Sequence, residues 1–152
     1  MTRRLPCRAV QIDIRSLGPG DDEAVIAAGA LFDDPPDAGA TRRFLEDPLH
    51  HMLVAYDASG QPVGFVSGVE TTHPDKGTEM FLYELSVDEH SRRQGIGRAL
   101  VEALEALARE RGCYGMWTGT EVGNDAARAT YASAGAREEP PHVFVAWDFR
   151  ET

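Results

Sequence analysis

The chain has 152 residues, 42% of them hydrophobic and 26% charged, a balance that fits one soluble globular domain with one core. A formal net charge of −10 speaks against nucleic acid as a partner, since phosphate binding needs Lys and Arg clustered on one face, and it favours cationic ligands. Cys7 and Cys113 form no CxxC pair and no zinc-ligand spacing, and no apolar run is long enough for a signal peptide or a membrane span, so we expect a cytoplasmic protein with reduced thiols, no bound metal and no membrane contact.

Val10, Ile12 and Ile14 alternate with polar residues and predict a half-buried strand, broken by Gly18-Pro19-Gly20. Asp21, Asp22 and Glu23 load the first turn of a helix that is expected to run to about Phe32. Asp33-Asp34-Pro35-Pro36-Asp37 reads as a stiff acidic loop, and a short helix over 41–46 stops before Asp47-Pro48. Residues 52–56 and 62–69 read as a hairpin around Asp57-Ala58-Ser59-Gly60, followed by a polar loop over 71–77.

A long strand is predicted over 79–87. A helix over 95–111 follows, with Ile96, Leu100, Leu104, Leu107 and Ala108 as its apolar stripe and Gly112 as its stop. Residues 114–118 read as a strand, 124–134 as a helix stopped by Gly135, and 143–149 as a last strand. The hairpins imply antiparallel pairing, and the strand–helix–strand run from 79 to 118 implies a parallel crossover. The expected fold is therefore α+β: one domain over 1–152, with a mixed, mostly antiparallel sheet flanked by helices.

The chemistry concentrates where the strand ending at Val87 gives way to His90-Ser91-Arg92-Arg93-Gln94-Gly95-Ile96-Gly97-Arg98 and then to a helix. Free amides at a helix start attract anions, and Gly95 and Gly97 place no side chain in front of them. Arg92, Arg93 and Arg98 add positive charge to an acidic protein, which points to a pyrophosphate site. A GxxxxGK[ST] loop is missing, and so is the third glycine of the dinucleotide fingerprint.

Arg92-Arg93-Gln94-Gly95-Ile96-Gly97 resembles the acetyl-CoA motif of the GNAT superfamily, [RQ]-x-x-G-x-[GA]. The run from Asn124 to Gly135 is similar to that superfamily's N-x-x-A-x-x-x-Y-x-x-x-G. The resemblance implies acetyl-CoA as donor. It implies pantetheine pairing along Leu85, Ser86 and Val87, and pyrophosphate held around Arg92, Arg93, Gln94, Gly95, Ile96, Gly97 and Arg98. Asn124 would contact the cofactor, and Tyr131 would lie near the sulfur. A phenol with a pKa near ~10 can protonate the departing thiolate, and an alkylammonium needs a base before it can attack. Glu84 directly precedes the pantetheine residues, whereas Glu79 lies roughly 16 Å away along the strand. Glu84 is the expected base, with attraction of a cation as its other role.

Leu82-Tyr83-Glu84-Leu85-Ser86-Val87, the His90–Ile96 run and Ala136-Arg137-Glu138-Glu139 before His142 resemble, within that superfamily, the aminoglycoside 3-N-acetyltransferases. That implies a cationic small-molecule substrate acetylated on its 3-amino group. Asp33, Asp34, Tyr83, Glu84, Glu138, Glu139 and His142 are its candidate substrate contacts. This group carries Asp where the chain has Glu84, one methylene longer, or about 1.5 Å. An N-acetyltransferase for another polyamine or a peptide amine stands as the alternative, and an inactive acetyl-CoA-binding module as a second. GNAT proteins are often dimers and 143–147 is apolar enough for an interface, so a homodimer is expected.

Overall fold

The computed structural model describes residues 11–150. The strands are β1 (Asp13–Leu17), β2 (His50–Tyr56), β3 (Pro62–His73), β4 (Gly77–Val87) and β5 (Met116–Trp117). The helices are α1 (Asp22–Ala27), α2 (Ala38–Glu46), α3 (Ile96–Glu110) and α4 (Asp125–Ser133). The strands lie side by side in chain order. The first four pair antiparallel, and β5 joins β4 in parallel after the α3 crossover. The α+β class and the mixed sheet are as the sequence implied.

Both faces of the sheet are covered. In β2, Leu53 and Ala55 join the core under α3, while Met52 and Val54 pack with Val25, Leu45 and Phe65 under α1 and α2. A strand buried on both faces loses its polar alternation, which is why this one reads as a continuous apolar run. The helix α3 carries Ile96, Leu100, Val101, Leu104 and Ala108 as its buried stripe. It sits directly on glycines of β3: a Cβ at Gly68 would stand 2.8 Å from the Met80 sulfur and 2.9 Å from Leu104 Cδ1. A Cβ at Gly64 would stand 3.0 Å from the Ser86 carbonyl oxygen and 3.1 Å from Leu100. That close seating fixes the start of α3 beside the end of β4.

Several boundaries differ from expectation. The helix α1 stops at Ala27, and Gly29–Leu31 continues as a 3₁₀ turn. The helix α2 begins at Ala38, where Asp37 caps it by accepting the Ala40 amide at 2.7 Å. The expected polar loop shortens, because β3 and β4 pair as far as His73 and Gly77.

The main correction concerns residues 143–149, which form no strand. Val143, Phe144, Trp147 and Phe149 are between 75% and 93% exposed. Their composition favours a strand, but a strand needs a neighbouring edge, and β5 pairs over only two residues. The expected half-buried strand over 10–15 is realised in part as β1; Val10 and Cys7 lie outside the described residues.

Candidate functional site

The β3–β4 ladder holds one irregularity that shapes the site. Ser67 pairs with Glu84, but Gly68 pairs with Leu82, so Tyr83 is an extra residue in β4. A bulge of one residue reverses the side-chain phase beyond it. Met80 and Leu82 face α3; after the bulge Glu84 and Ser86 face the α1–α2 side, while Leu85 and Val87 pack towards α3. Without the extra residue, Glu84 would point into the core beneath α3.

Ser86 donates its hydroxyl to the Leu31 carbonyl at 2.7 Å, which ties the 3₁₀ turn and the loop behind it to β4. That loop brings Asp33 close to Glu84. Burial, then the Asp33 charge, raises the Glu84 carboxyl above its usual range. Desolvation and a like charge both disfavour the ionised form, and together they describe a carboxylate with unusual proton affinity.

On its outer side β4 pairs with β5 only at Met80↔Met116 and Phe81↔Trp117. Thr118 then donates its hydroxyl to the Leu82 carbonyl at 2.9 Å. Beyond that point the ladder stops, and the edge of β4 formed by Leu85, Ser86 and Val87 is open for an extended ligand arm. Tyr131 of α4 packs with the α3-side core. Burial raises its phenol, and the neighbouring Thr118 hydroxyl pulls the other way. Glu84 and Tyr131 thus approach the open edge from opposite faces of the sheet.

Past Val87 the chain turns into α3 through the arginine-glycine loop. Arg92 Nε donates to the Val87 carbonyl at 3.3 Å. Arg93 has φ 62° and Gly95 φ 80°, two left-handed residues of the sort that turn backbone amides towards a common point. A Cβ at Gly95 would meet nothing within 4 Å, so the space before the first turn of α3 is open. These residues fit a pyrophosphate. Gly97 also has a packing role. A Cβ there would stand 3.2 Å from Thr130 Cγ2 and 3.6 Å from Val87 Cγ2, so its bareness lets α3, α4 and β4 meet.

The structure places the other expected site residues as follows. Arg98 Nε pairs with Glu102 at 2.7 Å, one turn along α3. Asn124 caps α4, its carbonyl oxygen accepting the Ala127 amide at 3.1 Å, which leaves its amide nitrogen free of that cap. Glu138 is held by Arg128 through bonds of 2.7 and 2.9 Å, so its charge is already balanced. Glu139 and His142 are exposed in the extended C-terminal segment. Asp34 is exposed. Glu79, the less favoured base, accepts the Tyr114 hydroxyl at 2.7 Å.

Three residues absent from the sequence reading stand out. Phe81 and Trp117 pack with ring centroids 4.4 Å apart and planes tilted by 33°, and exposed Tyr83 meets Phe81 edge-on at 5.9 Å. Thr118 marks the point where the sheet opens. Alternation along β4 could have flagged Phe81; nothing local flags Thr118 or the bulge.

The model of the acetyltransferase (GNAT) family matches residues 21–136, and the chain belongs to that family. An aminoglycoside N(6′)-acetyltransferase type 1 of Klebsiella aerogenes is 33% identical over 90 residues, 57% of this chain and 59% of that protein. A [ribosomal protein bS18]-alanine N-acetyltransferase of Escherichia coli K12 is 40% identical over 60 residues, 40% of each. The matched segment therefore spans under two thirds of either relative. Among solved structures, an aminoglycoside acetyltransferase from an uncultured soil metagenomic sample superposes with a TM-score of 0.74 at 27% identity, over 91% of this chain and 99% of that one. The expected likeness to 3-N enzymes finds no support among these relatives: the aminoglycoside relative from Klebsiella aerogenes is an N(6′)-acetyltransferase.

Proposed function

We propose that this chain transfers the acetyl group of acetyl-CoA to an amine of an aminoglycoside, at the 6′ position. The observation that carries the reading is Glu84, half-buried beside Asp33 and one residue before the open backbone of Leu85, Ser86 and Val87. Those three residues pair with the pantetheine arm. The amides from Arg93 to Gly97, with Arg92 and Arg93, hold the pyrophosphate. Glu84 takes a proton from the substrate ammonium. The freed amine forms a bond to the thioester carbonyl carbon, the carbon–sulfur bond breaks, the Tyr131 phenol gives its proton to the sulfur, and the extra proton on the nitrogen leaves to water, from which Tyr131 is reprotonated.

A base and an acid on opposite faces of one strand edge suit this exchange, since the amine arrives on one side and the sulfur leaves on the other. Asp33 and Asp34 attract the remaining ammonium groups. Phe81, Tyr83 and Trp117 offer an aromatic surface to the sugar rings, and Glu139 and His142, exposed on the C-terminal segment, add further contacts to the substrate. The net charge of −10 favours such a ligand. The partial likeness to a ribosomal-protein acetyltransferase supports a second reading, in which the acceptor is a peptide amine. We place the reaction in the cytoplasm and assign the exposed run 143–149 to a homodimer contact, which sedimentation of the wild type against Phe144→Ser checks.

Turnover tests the main reading. Free thiol should appear when acetyl-CoA meets neomycin. It should fall steeply with paromomycin, which has a hydroxyl in place of the 6′-amine. Equal rates with both would place the reaction on another amine, and no thiol with either would remove the aminoglycoside assignment.

A further inference from the structure

We infer that Ser67 is an acceptor-binding residue: its hydroxyl, on the floor of the site across from Glu84, receives an N–H of the attacking amine and holds the nitrogen while Glu84 takes its proton. The inference rests on the proposed role of Glu84 as base.

Ser67 lies in β3, in a row that the sheet register runs across four strands: Leu17, Met52, Ser67 and Glu84. Its chain neighbours point the other way. Val66 belongs to the core under α3, and a Cβ at Gly68 would meet Met80 and Leu104 there. Ser67 therefore shares the face of Glu84. Beside it on that face stand Phe65 of the same strand and Met52 of β2, both buried and apolar. The polar group directly across from it is Glu84.

Ser67 is 4% exposed. Among the described residues no protein group hydrogen-bonds its hydroxyl, and His50 Nδ1 is the one fully buried side-chain atom there without a partner, so the Ser67 oxygen still touches solvent. Alanine would pack against Phe65 and Met52 without the cost of an unpaired hydroxyl. A serine at this place is explained by a polar group that arrives with the substrate.

Directly opposed residues of an antiparallel pair hold their Cβ atoms about 4.5–5.5 Å apart. A nitrogen seated over the pair reaches the hydroxyl oxygen and the carboxylate together. An alkylammonium brings three N–H donors, and both oxygens accept. Before proton transfer the charge of Glu84 holds the cation. After transfer the carboxyl and the amine are both neutral and that attraction is gone. The Ser67 oxygen still accepts an N–H, which keeps the amine beside the open edge of β4 where the thioester lies. Ser67 itself neither gains nor loses a proton.

Ser67→Ala removes the hydroxyl, and Ser67→Cys fills the same space with a weak acceptor. We expect both to lower kcat/KM about 10- to 100-fold, the scale of a hydrogen bond to a charged group, with neomycin and with an alanine-ended peptide alike, since each acceptor brings the same N–H groups. The Kd for CoA should stay as in wild type. Ser67→Ala should melt at or above wild type, because it loses an unpaired hydroxyl. The acidic limb of kcat/KM should stay in place, because the free enzyme has no bond from Ser67 to Glu84.

Three results overturn the inference while Glu84→Gln still loses at least about 10²-fold and the base stands. One is a rate within twofold of wild type in Ser67→Ala. Another is full activity in Ser67→Cys, which would make Ser67 a space filler. The third is a displaced acidic limb in Ser67→Ala, which would make the carboxylate, not the nitrogen, the partner of the hydroxyl. If Glu84→Gln itself stays within twofold of wild type, the base fails and the role of Ser67 fails with it.

Discussion

The Ser86 hydroxyl donates to the Leu31 carbonyl at 2.7 Å, so β4 anchors the loop from which the Asp33 charge acts on Glu84. Burial and the Asp33 charge both favour the protonated form of Glu84. A base must be ionised to work, so the acidic limb of kcat/KM should lie above the ordinary carboxylate range. Asp33→Asn should move that limb down, and Glu84→Gln should remove it and cut kcat/KM by at least about 10²-fold. The stability consequence has the opposite sense. A carboxyl whose folded pKa is raised binds its proton more tightly when folded, so stability falls as pH rises from the unfolded to the folded value. Glu84→Gln should therefore melt higher than wild type above that window and level with it below. A lower melting temperature at neutral pH would contradict the assigned direction.

The two glycines of the cofactor loop should fail in different ways. Gly97→Val drives a side chain into Thr130 and Val87, and overpacking of this sort costs about 1–3 kcal/mol. Its melting temperature should drop. Gly95→Val meets no neighbour but must adopt φ 80°, a strain of about 1–3 kcal/mol, and its branched side chain stands in the space assigned to the pyrophosphate. Calorimetric titration with CoA should show lost affinity in folded Gly95→Val. Unchanged affinity there would remove the pyrophosphate from this loop.

Away from the site, Glu70 is an ionic staple between three elements. Its carboxylate meets His51 Nε2 at 2.7 Å on β2 and Arg111 Nε at 2.8 Å after α3, with only 5% of its side chain exposed. Arg111 also reaches the Pro48 carbonyl at 3.3 Å. Glu70→Ala leaves both partners without their acceptor and should cost about 1–3 kcal/mol in denaturant unfolding. The arginine is partly exposed and can turn to water, which keeps the loss below that of a fully buried charge. The amine KM should stay as in wild type.

The aromatic surface should govern recognition rather than chemistry. Trp117→Ala removes a half-exposed ring stacked on Phe81. We expect a KM for aminoglycosides raised severalfold with kcat nearly kept, and a much smaller change for a linear polyamine that has no ring to stack. Equal losses for both substrates would assign Trp117 to folding alone.

The contrast between what the chain reveals locally and what only the fold reveals is physical. The stripe on α3 follows a 3.6-residue period, and the turn at Asp57 has its own hydrogen bonds, so both were legible. The arginine-glycine loop was legible because its chemistry is local. The bulge at Tyr83 was not, since it depends on how β4 registers against Ser67 and Gly68 of β3. Position along the strand was enough to single out Glu84, but not the face it occupies or its neighbour Asp33. The bareness of Gly97 suggested phosphate access, whereas its close packing against Thr130 depends on how α4 docks and could not be read locally. Residues 143–149 have the composition of a strand, yet composition cannot supply an edge to pair with.

The central claim is that the acceptor is a polycationic aminoglycoside rather than a peptide amine. The most direct measurement is the ratio of kcat/KM for neomycin to that for a peptide with an N-terminal alanine, taken at one pH and low salt. We expect a ratio far above one, a fall in it as salt screens the acidic surface, and a product acetylated on the 6′-amine. A ratio below one, with the peptide acetylated at its N-terminus, would contradict it.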